Sequence, residues 1–321
     1  MNCGFGFRIA GPCSGERRLV DAAACLRAYA ACNDKARVDS EAYLSAFNYP
    51  ETFADYLRQN GTTKGYSGPC GAEWVWWDID AAGELENATE GARALAGHVC
   101  EHYSLDDDLL LLFFSGAKGF HVGLPAALWT PELGPDFHRQ ARRFCEGIAA
   151  AAGVSIDSGV YDKVRAFRAP NSKHQKTGLH KRRLTFHELL HSSTAAILEA
   201  ARYPEPFEVP EPATGGFNFG LAGDWQRAAE ATQAEAEATA RRRVECNGTP
   251  KLNRATLEFI RQGADVGDRH RLLFSASCNL AEFGCPTALA HALLTETALD
   301  SGLSPSEVRR QIDCGLKGGT P

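Results

Sequence analysis

The chain has 321 residues, enough for two or three domains of about 100 to 200 residues each and for a large buried core. Hydrophobic residues make up 44% and charged residues 23%, which excludes a mostly disordered, collagen-like or coiled-coil chain. The net charge of −6 argues against coating nucleic acid by bulk electrostatics, so a polyanion would have to meet a local basic patch.

Residues 1–70 read as a mixed, mainly helical unit, with helices over 17–33 and 50–59. The next segment changes periodicity in a definite order. Trp74 to Asp80 is a short aromatic strand. Residues 84–103 carry Ala92, Leu95, Val99 and Tyr103 at helical spacing. The run LLLLFF ending at Phe114 is too short for an independent helix and reads as a buried strand, and FHVGL after Gly119 pairs with it as a hairpin. Residues 135–152 form a helix stopped by Gly153, and VYDKVRAFR, residues 160–168, alternates as a last strand. The order β-α-β-β-α-β is the split β-α-β arrangement, an open sheet with both helices on one face and the other face free for a site.

The stretch YPEPFEVPEPATGG, residues 203–216, holds four prolines and reads as a linker, followed by a polar helix over 224–244. Beyond Pro250 come four short amphipathic helices with cap-like Asn253, Asp268 and Ser304, a small helical bundle. Eleven cysteines without a Cys-x-x-Cys pair, and a start lacking the features of a signal peptide, predict a cytoplasmic protein with reduced thiols. The cysteines then serve mostly as small buried hydrophobes. His98, Cys100 and His102 form a metal-like spacing that lacks an obvious second pair. The longest apolar run, 109–114, is about a third of a membrane span, so no membrane is expected.

Chemistry concentrates at three places. In VWWDIDAAG, Asp78 and Asp80 stand two apart on a strand, leaving one face of the sheet about 7 Å apart at their backbones. Two such carboxylates repel by several kcal/mol if they approach to about 4 Å at a surface-like dielectric, and a metal ion is the natural way to stabilise them. The plain alternative is a solvated strand end. SGAKGFHVGLP offers Ser115, Lys118 and His121 at a glycine-rich hairpin, which could equally be a turn with a satisfied histidine. From Tyr161 to Arg183 there are eight basic residues against one acid, Asp162. Lys163 and Arg165 share a strand face, Arg168 follows, and a Pro-Asn turn carries Ser172, Lys173 and His174, groups suited to gripping a triphosphate. Lys181 to Arg183 read as a solvated charged face.

Together WWDID, SGAKGFH and SIDSGVY with VRAFRAPNSKHQKTG resemble the archaeo-eukaryotic primase superfamily in order and in their spacing of about 40 residues. The likeness spans residues of roughly 40 to 185. It implies an α+β fold: an RRM-like β-α-β-β-α-β catalytic core with an N-terminal mixed unit, within a catalytic domain 1–204, then a linker and connecting helix over 205–250 and a helical bundle over 251–321. GDRHRLLFSASCNLAEFGC and SGLSPSEVRRQI look like the helical domain that follows many plasmid and phage primase cores.

By that resemblance Asp78, Asp80 and Asp157 match the carboxylates that hold two magnesium or manganese ions, with Asp162 a rival for the third. Ser115, Lys118 and His121 match the nucleotide-binding motif, and Arg165, Arg168 and His174 match the basic residues facing the triphosphate. Many cellular members carry a zinc knot; no four-ligand set accompanies these motifs, which leaves zinc in doubt. The implied activity is a DNA primase, a primase-polymerase starting chains on single-stranded DNA from NTPs or dNTPs, with a replicative helicase as the expected partner. The rivals are an end-joining polymerase of the same superfamily and a catalytically silent replication-initiation module.

Overall fold

The computed structural model describes residues 4–80, 84–211, 216–245 and 252–318. It is an α+β chain whose compact units are residues 1–234 and 235–321.

The first unit holds two antiparallel sheets. In the first, β1 (Phe5–Ala10) lies between β2 (Arg18–Asp21) and β3 (Ala42–Ser45), and β7 (Ala166–Arg168) pairs with β3 from far along the chain. The predicted helix over 17–33 is therefore shorter. Its first residues form β2, and α1 (Ala22–Ala30) starts where the Asp21 carboxylate accepts the Ala24 amide. The second helix, α2 (Glu51–Asn60), begins after Pro50 and ends at Gly61 in the left-handed region, as its sequence suggests. Phe53 stacks on Tyr49 with ring centroids 3.9 Å apart and joins α2 to this sheet's core.

The second sheet has the order β4-β6-β5-β8, from β4 (Trp74–Asp80), β5 (Leu111–Phe114), β6 (Gly119–Pro125) and β8 (Arg182–Leu184). The strand alternation sorts β4 cleanly. Trp77 points toward α4 (Phe137–Ala151), where its indole N–H donates to the Cys145 carbonyl at 3.0 Å, and Ile79 abuts Gly91 of α3 (Leu85–Tyr103). Both helices thus cover one face, as expected. The opposite face carries Trp74, Trp76, Asp78 and Asp80, and it is partly covered: the Trp76 ring lies 5.5 Å from Phe167 of β7.

The predicted last strand over 160–168 differs. Asp157 caps a 3-10 turn, Ser158–Tyr161, by accepting the Gly159 amide, and Asp162 accepts the Val164 amide two residues on. Aspartates that bond their own downstream backbone favour turns over ladders. The segment still flanks the free edge of β4, through the Asp157 amide to the Asp78 carbonyl (2.8 Å) and the Tyr161 hydroxyl to the Trp76 carbonyl (2.8 Å). Only 166–168 forms a strand, and it belongs to the other sheet.

After β8 come α5 (Phe186–His191), opened by a capping box of Thr185 and Glu188, and α6 (Thr194–Ala200). The proline-rich segment does not hang free: the Phe207 amide donates to the Ala30 carbonyl and its ring lies 5.6 Å from Phe113. The polar helix, α7 (Phe219–Glu245), starts earlier than predicted, where the Asn218 side chain accepts the Leu221 amide, and Trp225 packs among Trp129, Phe137 and Phe144.

The second unit is all helical beyond α7, with α8 (Arg254–Gln262), α9 (Arg269–Glu282), α10 (Thr287–Asp300) and α11 (Pro305–Gly318) around Phe259, Leu273, Leu280, Leu294, Val308 and Ile312. Asn253 caps α8 through the Thr256 amide and Ser304 forms a box with Glu307, as predicted, whereas Asp268 makes no cap bond and pairs with Arg271. No disulfide joins the cysteines of the described residues, and no described helix is long and apolar enough to cross a membrane. His98 and His102 stack on one another along α3, but no ligand set forms around them among the described residues.

Candidate active site

The antiparallel register of β4 and β6 sets Asp78 opposite His121 and Asp80 opposite Gly119. The first and second motifs therefore meet at one end of one sheet face. His121 Nε2 lies 3.4 Å from Asp78 Oδ1, and Lys118 Nζ lies 2.7 Å from Asp80 Oδ2. Asp157 joins them through its backbone N–H, which donates to the Asp78 carbonyl, with Arg165 3.9 Å from its carboxylate. Asp162, the rival, is five residues on and bonds its own turn, as Asp157 does.

Exposure grades the acids. The Asp78 side chain is 13% exposed, Asp80 30% and Asp157 44%. Asp78 Oδ1 is buried with only the long 3.4 Å contact to His121 Nε2, and His121 Nδ1 is buried without a hydrogen-bond partner. Burial raises the Asp78 carboxyl, but His121, Lys181 and Arg165 together outweigh it and hold it below the usual carboxylate range. Burial pushes the His121 imidazole down, and the Lys181 ammonium adds to that against the pull of Asp78. The His121 ring is packed 4.1 Å from Phe167. As placed, the carboxylates do not converge: no group of three or more His, Cys, Asp or Glu among the described residues could hold a metal ion. Asp80 is taken up by Lys118, and Asp157 by the Gly159 amide.

The hairpin is built for close approach. Gly116 has φ +85°, and a Cβ on Gly119 would lie 2.3 Å from the Ile79 carbonyl oxygen and 2.4 Å from Asp80 Oδ1. Ser115 is buried and its Oγ accepts the Ala117 and Gly119 amides, so it shapes the turn. Thr177 Oγ1 donates to the Gly116 carbonyl at 2.6 Å and ties the loop carrying His174 to the hairpin.

The third motif is only partly brought in. Arg165 is half-exposed beside Asp157. Arg168 turns to the first sheet, where it meets Glu41 at 3.2 Å and lies over the Tyr43 ring. His174 Nδ1 accepts the Lys176 and Thr177 amides of its own turn. Lys163, in no strand, holds the Ser67 and Gly68 carbonyls.

The expected solvated face at 181–183 is overturned. Lys181 is 1% exposed, Arg182 is buried and pairs with Glu205, and Arg183 donates to the Leu110 and Leu112 carbonyls. Pairing of β8 with β5 carries these residues inside, and several of the eight basic residues are internal clamps. Lys181 was invisible in sequence because a buried and a solvated Lys-Arg-Arg read alike. A cavity of about 50 Å³ between the sheets, lined by Phe7, Trp74, Trp76, Phe167 and Lys181, contains none of the three acids, whereas Asp80 lines a separate open pocket with Ile79, Gly91 and Val154.

No family model matches the chain, and no curated protein matches it. Among solved structures, one described as the crystal structure of primase RepB′ is similar over 98% of this chain and 90% of that one, with 12% identity and a TM-score of 0.37. A likeness that distant carries no argument about this chain.

Proposed function

We propose that the chain is a template-directed nucleotidyltransferase of the primase type, starting chains on single-stranded DNA. The observation that supports this most is the convergence of three separate motifs on one sheet end: Asp78 and Asp80 on one face of β4, the Asp157 amide on the Asp78 carbonyl, and Lys118 and His121 across the strand.

The donors suit magnesium or manganese, since hard cations take carboxylate oxygens. Asp78 Oδ1 is a buried oxygen met only by His121 Nε2 at 3.4 Å, and the Lys118 ammonium on Asp80 stands where positive charge is wanted. Asp78, Asp80 and Asp157, which do not converge as placed, would have to draw together to hold the ions, which when bound would acidify the attacking 3′-hydroxyl and neutralise the departing pyrophosphate. The remaining groups position. Lys118, 69% exposed on the hairpin tip, can leave Asp80 for a phosphate oxygen. Arg165 offers a guanidinium beside the third acid. His121, fixed between Asp78 and Phe167, is poised to meet a phosphate oxygen as a donor.

The test is synthesis on circular single-stranded DNA without primer, with ribo- and deoxyribonucleotides and with magnesium or manganese. Asp78→Asn and Asp80→Asn should each abolish incorporation while leaving the melting temperature within a few degrees. Incorporation by the double variant refutes the site, and extension of primed DNA without unprimed synthesis moves the reading to the end-joining branch.

A further inference from the structure

Two adjacent residues of α4 reach both parts of the acid site. The Cys145 carbonyl accepts the indole N–H of Trp77, the neighbour of Asp78 on β4. Glu146 reaches the segment of the third acid: its Oε1 accepts the Ser158 hydroxyl at 2.5 Å, and Ser158 directly follows Asp157. The same oxygen accepts Arg142 Nε at 2.8 Å, one turn earlier on α4, which fixes the direction of the carboxylate.

The segment carrying Asp157 has little structure of its own. Residues 154–157 belong to no helix or strand, and 158–161 make one 3-10 turn. Two bonds tie it to β4, the Asp157 amide to the Asp78 carbonyl and the Tyr161 hydroxyl to the Trp76 carbonyl, both at 2.8 Å. A turn held at two points on one strand can pivot about the line joining them. The Glu146–Ser158 bond is a third point, supplied by a helix, and stops that pivot. With backbone bonds of about 1.5 Å, a carboxylate stands about 3 Å from its own amide nitrogen, so a pivot of about 20° would carry the Asp157 carboxylate about 1 Å. The Glu146 side chain is 38% exposed, and a single hydrogen bond in such a place adds little to global stability.

We infer that Glu146 is a positioning residue of the acid site: through Ser158 it fixes the turn that presents Asp157 beside Asp78. The inference rests on the reading that Asp157 takes part in nucleotide incorporation. What Glu146 supplies is an acceptor oxygen at a fixed place on a rigid helix, and its charge is secondary. With the backbone held in this way, the Asp157 carboxylate can leave the Gly159 amide by rotating about its own side-chain bonds, while its Cα keeps its place beside Asp78.

The experiment measures kcat and KM for nucleotide incorporation, hydrogen exchange across residues 155–161 and the melting temperature, all on the full chain. Glu146→Ala and Ser158→Ala should each lower kcat by about 10- to 100-fold with KM within about twofold, since a displacement of about 1 Å at reacting groups costs about that much. Both should speed exchange in 155–161 and shift the melting temperature by less than about 4 °C. The double variant should be no slower than the slower single, because both changes remove one bond. Glu146→Gln keeps the acceptor oxygen and should restore wild-type kcat and exchange. Wild-type kcat in both alanine variants overturns the inference, and so does a Glu146→Gln protein as slow as Glu146→Ala, which would make the charge decisive. If Glu146→Ala fails to fold, Ser158→Ala breaks the same bond by a smaller change and decides in the same way. If Asp157→Asn incorporates nucleotide at the wild-type rate, the reading of Asp157 fails and takes this inference with it; an inactive Asp157→Asn beside fully active Glu146→Ala and Ser158→Ala sinks only the inference.

Discussion

Gly119 offers the sharpest test of how the sheet builds the site. It lies opposite Asp80, and a Cβ there would stand 2.3 Å from the Ile79 carbonyl oxygen, a backbone atom that cannot rotate aside, and 2.4 Å from Asp80 Oδ1. Restoring ordinary contact requires β4 and β6 to part by about 1 Å at this register. Overpacking of this kind costs about 1–3 kcal/mol, or about 2–4 °C of melting temperature for each kcal/mol in a unit this size. The catalytic cost is larger, because a displacement of about 1 Å at reacting groups can lower a rate about 100-fold. Gly119→Ala should therefore melt several degrees lower and lose about 100-fold in nucleotide incorporation. The control is Gly97→Ala in α3, where a Cβ meets nothing within 4 Å. It should stabilise by about 0.5–1 kcal/mol through helix propensity and leave incorporation unchanged. Calorimetry beside a steady-state incorporation assay reads both. A Gly119→Ala protein with wild-type melting and activity would refute the close approach of β4 and β6 and the placement of Asp80 that follows from it.

Arg93 donates to the Leu189 and Ser192 carbonyls, both at 2.7 Å, and so satisfies the end of α5 from α3; Arg93→Met should cost about 1–3 kcal/mol, measured by urea unfolding. Burial, helped by Lys163 and Arg139, pushes the His138 imidazole down to about 4 from 6.5. Between those values the unfolded chain takes up a proton that the folded chain refuses, so stability is full above about pH 6.5 and falls as the pH drops toward 4. Allowing for the ring's partial exposure, the loss is about 1–2 kcal/mol. His138→Gln should flatten that part of the stability profile, and an unchanged profile would exclude His138 as its source.

Much of the acid site was legible before any coordinates. Period-two alternation puts Asp78 and Asp80 on one face whatever the sheet does, and a short hairpin forces His121 beside Asp78 once β4 is its neighbour. Helix spacing in 85–103 and 137–151 is equally local, because a buried stripe must recur every 3.6 residues. The failures share a cause. The alternation in 160–168 is real, yet side chains of Asp157 and Asp162 capture their own backbone and turn it into a 3-10 segment. Residues 17–21 carry a helical pattern, and nothing local reveals that β1 awaits a partner there.

The residues of the chain by themselves determined the α+β class, the order of elements around the acids, and the chemistry those acids and Lys118 can offer. Only tertiary structure decided the fate of the basic run. The sequence shows eight cations in a row of 23 residues and cannot say which meet water. Pairing of β8 with β5 and of β7 with β3 takes Lys181, Arg182 and Arg168 inside to partners up to 127 residues away, leaving Arg165 near the acids. Charge is a property of the residue, but whether it faces solvent, a carbonyl or three aromatic rings depends on strand pairing between distant segments, which local periodicity does not encode.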